Sequence, residues 1–249
     1  MIRLLRAEWT KIITTRIGYL LVLLAIADTA VSTAAQVFLA NFPGAPGLHS
    51  AQAVRGVFAS ASAGLVFALV LGILGMTAEY RYQTITPTLL LTPRRGRLVV
   101  AKLLSAIGLG LALGLAGAGT ALGTGLVALT LRSHAAIPTH QVVTTLLGAI
   151  GAFVCYAVIG TAIGTLIRNQ VAAITFTLLW VMLTEPLLVA FLPKIGRWLP
   201  GGAASGLAQA SKLTGGTYLP PALAASVLVG YTLTLAAVAS RTTMRRDIT

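Results

Sequence analysis

Five carboxylates, three histidines and one cysteine are the side chains of this 249-residue chain best suited to acid–base, nucleophilic or metal chemistry. They do not converge. His49, His134 and His140 all fall in segments between apolar runs, away from any acid or cysteine at catalytic spacing, and no H-E-x-x-H occurs. No glycine is followed by lysine, so the chain has no phosphate-binding loop of its own. A hydrolase working inside a membrane would lack its base. Nothing here reads as an enzyme, and no cofactor or metal set is expected.

Two acids sit where acids are costly, inside apolar runs: Asp28 and Glu185. A charge at membrane mid-depth costs about 3 kcal/mol on insertion scales, so such a group faces a partner or a wet cavity. Asp28 shares its run with Thr29, Ser32, Thr33 and Gln36. Either Asp28 and Gln36 line a polar path that handles a polar or cationic molecule, or the carboxyl is held by neighbouring hydroxyls. Glu185 precedes Pro186, which removes a backbone donor and breaks its helix. A structural or gating role is expected there, with the carboxylate taking up exposed backbone groups. Asp28, Gln36 and Glu185 are therefore the candidates for lining a path across the membrane.

The elements that must position these residues follow from composition. The chain is 57% hydrophobic and 9% charged, with a mean hydropathy of +0.90. A soluble domain carries about 25% charged residues, so this is a multi-pass membrane protein. The net charge of +13 could point to nucleic acid, but the charges sit at the ends of apolar segments and the membrane accounts for them. No nucleic-acid partner is expected. The lone Cys155 lies in an apolar run and excludes a disulfide framework within the chain. The basic start reaches Arg16 and the following apolar run is too long for a cleaved signal core.

Six apolar segments of spanning length follow: 17–40, 57–78, 103–131, 142–167, 170–192 and 219–240. Lys and Arg outside them number thirteen on the side of both termini and five on the other. The excess orients the bundle with both ends in the cytoplasm. Residues 1–16 read as an amphipathic interfacial helix: Ile2, Leu5, Trp9, Ile12 and Ile13 share an arc, with Arg3, Arg6 and Lys11 elsewhere. Residues 17–249 form the six-helix domain. Gly110 with Gly114, Gly119 with Gly123, and Gly160 with Gly164 repeat at four residues and are expected to serve packing within the bundle. The break at Arg168 and Asn169 is so short that the fourth and fifth helices are expected to form a tight antiparallel pair. The outer segment 193–218, interrupted by Pro200, Gly201, Gly202, Gly215 and Gly216, reads as a broken re-entrant helix.

The cytoplasmic loop 79–102 organises the rest. It carries Glu79, Arg81, Arg94, Arg95, Arg97 and Lys102, so it cannot lie in a bilayer core. Within it Thr84 can cap a short helix that Pro93 would end, and Ile85 and Leu89, with Leu90 and Leu91, form an apolar patch lacking any core of its own. Such a face either lies on the membrane or fits a groove on another protein.

The opening R-A-E-W-T-K, the loop E-Y-R-Y-Q-T-I-T-P-T-L-L-L-T-P-R-R and the later E-P-L-L and R-W-L-P-G together carry a likeness. The chain resembles the permease subunits of bacterial ABC-2 type exporters, in the form common in actinobacteria. Gln83 departs from the glycine of that pattern. The resemblance implies an all-α, type V exporter-like fold in the bacterial plasma membrane. It implies two separate ABC ATPase subunits holding ATP and Mg, and a second permease chain, identical or related. Glu79, Arg81, Thr84, Ile85, Leu89, Leu90, Leu91, Arg94 and Arg95 would then be the ATPase-coupling residues, and 1–16 the connecting helix among membrane lipids. Family substrates run from antibiotics and other natural products to peptides and lipids, with efflux and resistance as outcomes. Two rivals remain from the residues alone: a stand-alone secondary transporter or channel using Asp28 and Glu185, and a non-transporting immunity or scaffold subunit.

Overall fold

The computed structural model describes residues 10, 15–40, 42, 48, 50–82, 95–132, 139–210 and 217–245. Among them there is no strand, and six helices are long and apolar enough to cross a membrane. Helix α1 is Arg16–Leu39. The second span is built from α2, Ala51–Ala59, and α3, Leu65–Arg81. Then come α4, Arg95–Arg132, and α5, Thr139–Leu166. The fifth span joins α6, Gln170–Leu179, to α7, Glu185–Phe191. Two short helices follow, α8, Pro193–Gly196, and α9, Pro200–Leu207, and α10, Pro221–Arg245, is the last span. The spans agree with the apolar runs to within a few residues. The largest difference is the second, which begins at Gln52 because the Ser50 hydroxyl accepts from the Ala53 N–H and starts α2 early.

Helix α5 is the centre. It is apolar nearly all round, and such a helix is buried. It packs on α3, α4 and α10, with Phe153 and Ala157 closing one cluster against Leu71, Leu109 and Leu113. Glycine sets the spacing. A Cβ on Gly160 would lie 2.1 Å from the Leu69 carbonyl oxygen, and one on Gly72 2.3 Å from that of Ala157. The two glycines face each other's helix, so α3 and α5 touch backbone to backbone. Gly110 and Gly114 do the same for α4 against Val154 and Ile150. Gly119 and Gly123 do not: nothing lies within 4 Å of their would-be Cβ atoms, so the packing expected of that pair is absent.

Two local breaks shape the bundle. Ser60 and Ser62 bond back to the carbonyls of Val57 and Ala59, which tightens Ser60–Ser62 into a 3₁₀ turn between α2 and α3. The Thr33 and Ser60 hydroxyls, 2.7 Å apart, tie that corner to α1. In the fifth span Trp180–Thr184 is one turn of π-helix. Pro186 has no N–H to return to the preceding turn, and the ladder widens there.

The tight pairing of fourth and fifth helices is not what the chain does. Asn169 caps α6 with its side chain, accepting from Ala172 N–H at 3.1 Å, and α6 then leans on α3 and touches α5 only lightly. A short turn fixes where two helix ends meet, and leaves the crossing angle to side-chain packing.

Candidate functional site

At the end where Arg81 and Arg168 gather, α3 carries Glu79 in its last turn, and α4 carries Lys102 two turns after its start. The Lys102 Nζ stands 2.8 Å from the Glu79 Oε1, and the two residues are 8% and 3% exposed. Glu79 was expected in a solvated loop. Instead α3 runs on through Arg81 and α4 begins at Arg95, so the ends of 79–102 are helical and the acid is buried. A basic residue brought to a buried acid relieves its desolvation, and the ion pair pins together the two roots of segment 83–94. Arg168 lies over the Tyr80 ring at 5.7 Å, and Arg81 reaches Gln170 at 3.5 Å, which brings the start of the fifth span to the same corner. Arg81 itself is exposed. Thr84, Ile85, Leu89, Leu90, Leu91 and Arg94 lie outside the described residues, as does the Arg95 side chain and nearly all of 1–16.

The far end is built around Glu185. Its carboxylate, 3% exposed, accepts the Gly201 N–H at the start of α9. A helix start offers unpaired N–H groups and a positive dipole end, so a carboxylate placed there acts as its cap. The approach requires glycine, since a Cβ on Gly201 would lie 2.9 Å from the Glu185 carboxyl carbon. A Cβ on Gly202 would meet the Gly196 carbonyl oxygen at 2.1 Å, so α9 is folded tightly on α8 as well. A cavity of about 420 Å³ beside this joint is lined by Val181, Glu185, Pro186, Val189, Ser205 and Tyr218 among others. Burial pushes the Tyr218 phenol above its ordinary value, with the Ser205 hydroxyl acting the other way. The segment 193–218 is thus a broken helix in two pieces, with residues 211–216 outside the described part.

Asp28 is half-buried on α1 and makes no hydrogen bond or ion pair with a described residue. The neighbouring hydroxyls are committed elsewhere: Thr29 donates to the Ala25 carbonyl at 2.9 Å and Thr33 to that of Thr29 at 2.7 Å, both fully buried toward the bundle. Gln36 is exposed. The polar side of α1 therefore splits, hydroxyls inward and Asp28 with Gln36 on the outer flank. Asp28, Glu185 and the basic corner are not brought together. Two partners were missed from the sequence, Lys102 for Glu79 and the Gly201 amide for Glu185. Their only advance signals were a lone acid among basic residues and a P-G-G after a helix break.

Among the described residues no three His, Cys, Asp or Glu side chains gather as a metal site would require. No curated protein matches the chain. The model of the ABC-2 family transporter proteins matches residues 4–184, which takes in the basic corner and the first five spans as far as the π turn. With six candidate spans and that match over most of its length, this multi-pass membrane protein belongs to the ABC-2 transporter family.

Proposed function

We propose that the chain is the membrane-spanning permease subunit of an ATP-driven exporter, working with two copies of a separate ATPase and a second permease chain. The observation that carries this reading is the basic corner. A loop with an apolar patch leaves the membrane between α3 and α4, and its two roots are held by a buried ion pair. In this reading both termini are cytoplasmic and the patch of Ile85, Leu89, Leu90 and Leu91 fits a groove on the ATPase. Closure of the ATPases on ATP then moves the loop, and the pinned corner passes that motion to α3 and α4 as one body. Helix α3 is locked to α5 by facing glycines, so the displacement reaches the bundle centre. Alternating access follows from rocking of this unit against the fifth span, the least buried of the six. The path takes Asp28 and Gln36 on α1, and the capped joint of Glu185 with α9 closes its outer end. The cargo is a natural product such as an antibiotic, a peptide or a lipid.

Reconstitution tests it. The chain and the ATPase encoded beside it are placed in proteoliposomes, and ATP hydrolysis is compared with that of the ATPase alone. The expected result is hydrolysis that changes with the chain present and rises further with cargo. Hydrolysis indifferent to the chain contradicts the reading.

A further inference from the structure

The basic corner also opens into a groove of about 370 Å³ between the start of α1, α3 and the first turns of α4. Its walls are apolar, Ile17, Leu71, Leu74 and Leu109 among them, and its charged residues are Glu79, Arg81 and Lys102. The Lys102 ammonium lies 2.8 Å from the Glu79 carboxylate, and Arg81 adds a positive charge at the rim. Along α3 the lining runs from Leu71 to Tyr82. Eleven helical steps make about 16 Å, close to half of the roughly 30 Å hydrocarbon core, the depth of a single leaflet. The floor is kept open by Gly75, which has nothing within 4 Å of its would-be Cβ. Its neighbour Gly72 is required by close contact with α5, and Gly75 is not, though a glycine weakens a helix relative to alanine.

We propose that this groove is a selective site for one anionic phospholipid, with an acyl chain along α3 past Gly75 and the phosphate at Arg81 beside Gln170 and Tyr82. The occupant follows from three features together: leaflet depth, apolar walls and a basic rim at the membrane face. A lipid seated there wedges α1 from the roots of the loop and ties the corner to the charge of the leaflet. This goes beyond the exporter reading and does not depend on an ATPase.

The full chain is reconstituted in nanodiscs of equimolar phosphatidylcholine and phosphatidylglycerol, and native mass spectrometry identifies the last lipid retained on stripping. The wild type is expected to keep one phosphatidylglycerol, favoured about fivefold, the scale of one basic residue at a membrane surface. Arg81→Gln should bring the two lipids level. Gly75→Leu, which fills the floor, should lose the retained lipid, and Gly75→Ala should keep most of it. Equal retention of both lipids by the wild type, undiminished preference in Arg81→Gln, or undiminished retention in Gly75→Leu each overturns the site. A change in subunit number with lipid retention unaltered also overturns it, and marks the groove as a contact between copies. If Gly75→Leu does not fold, Arg81→Gln alone decides, since that side chain is exposed and its loss disturbs no core.

Discussion

Removing Lys102 while keeping Glu79 is the sharpest perturbation of the basic corner. At 2.8 Å the gross attraction is about 6 kcal/mol for an effective dielectric of about 20. Most of that offsets the desolvation of both groups, so the pair adds little net stability over two apolar residues. Breaking it is another matter. Lys102→Met takes the Lys102 cation from a buried carboxylate, a change that costs about 3–5 kcal/mol. At this chain length each kcal/mol lowers the melting temperature by about 2–4 °C, so the expected fall is about 6–20 °C. Lys102→Met with Glu79→Leu removes the buried acid together with its Lys102 partner and should recover most of the loss. The assay is thermal melting of the detergent-solubilised chain followed by size-exclusion fluorescence. A Lys102→Met chain melting within 2 °C of wild type would refute the reasoning, as would a double variant that falls by the sum of the two singles.

At the far end, Glu185→Ala strands the Gly201 N–H and should cost about 1–3 kcal/mol, whereas Glu185→Gln keeps an accepting oxygen and should cost less, both read as melting shifts. Gly72→Ala drives a Cβ to 2.3 Å from the Ala157 carbonyl oxygen and should collapse the yield of folded chain, while Gly119→Ala, with open space, should be neutral or stabilise by up to about 1 kcal/mol; a reversed order would disprove the facing-glycine contact. For topology, Gln52→Cys and Arg245→Cys are made separately in a Cys155→Ala background and exposed to an impermeant thiol reagent on intact cells. Only the first should be labelled, and labelling of the second would overturn the orientation.

The spans were legible because an apolar run of bilayer length has almost no other fate. Even Gly72 and Gly160, which lock α3 to α5, lie within runs that could be read only as helices. What escaped the sequence was pairing. Glu79 reads as one more charge in a loop until Lys102, 23 positions on, is seen on the adjoining helix turn. Likewise Glu185 finds its partner in a backbone amide, and every residue but proline has one, so no side-chain pattern announces it. The crossing of α6 over α3 was misjudged because a turn as short as that at Asn169 constrains distance and not direction. Asp28 is the middle case. Its unfavourable depth was plain, but whether Thr29 and Thr33 would turn toward it depended on how α1 seats on the bundle, and they turn away.

The proposed docking of an ATPase on the loop between α3 and α4 can be measured directly. Tagged chain is extracted from its own membranes with the neighbouring ATPase expressed, and the amount of ATPase bound per chain is measured for wild type and for Leu89→Glu with Leu90→Glu. ATPase is expected at one copy per chain with the wild type and is expected to be lost in the double variant, with the variant still inserted and melting as wild type. A chain that purifies without an ATPase, or a double variant that retains it in full, would contradict the account.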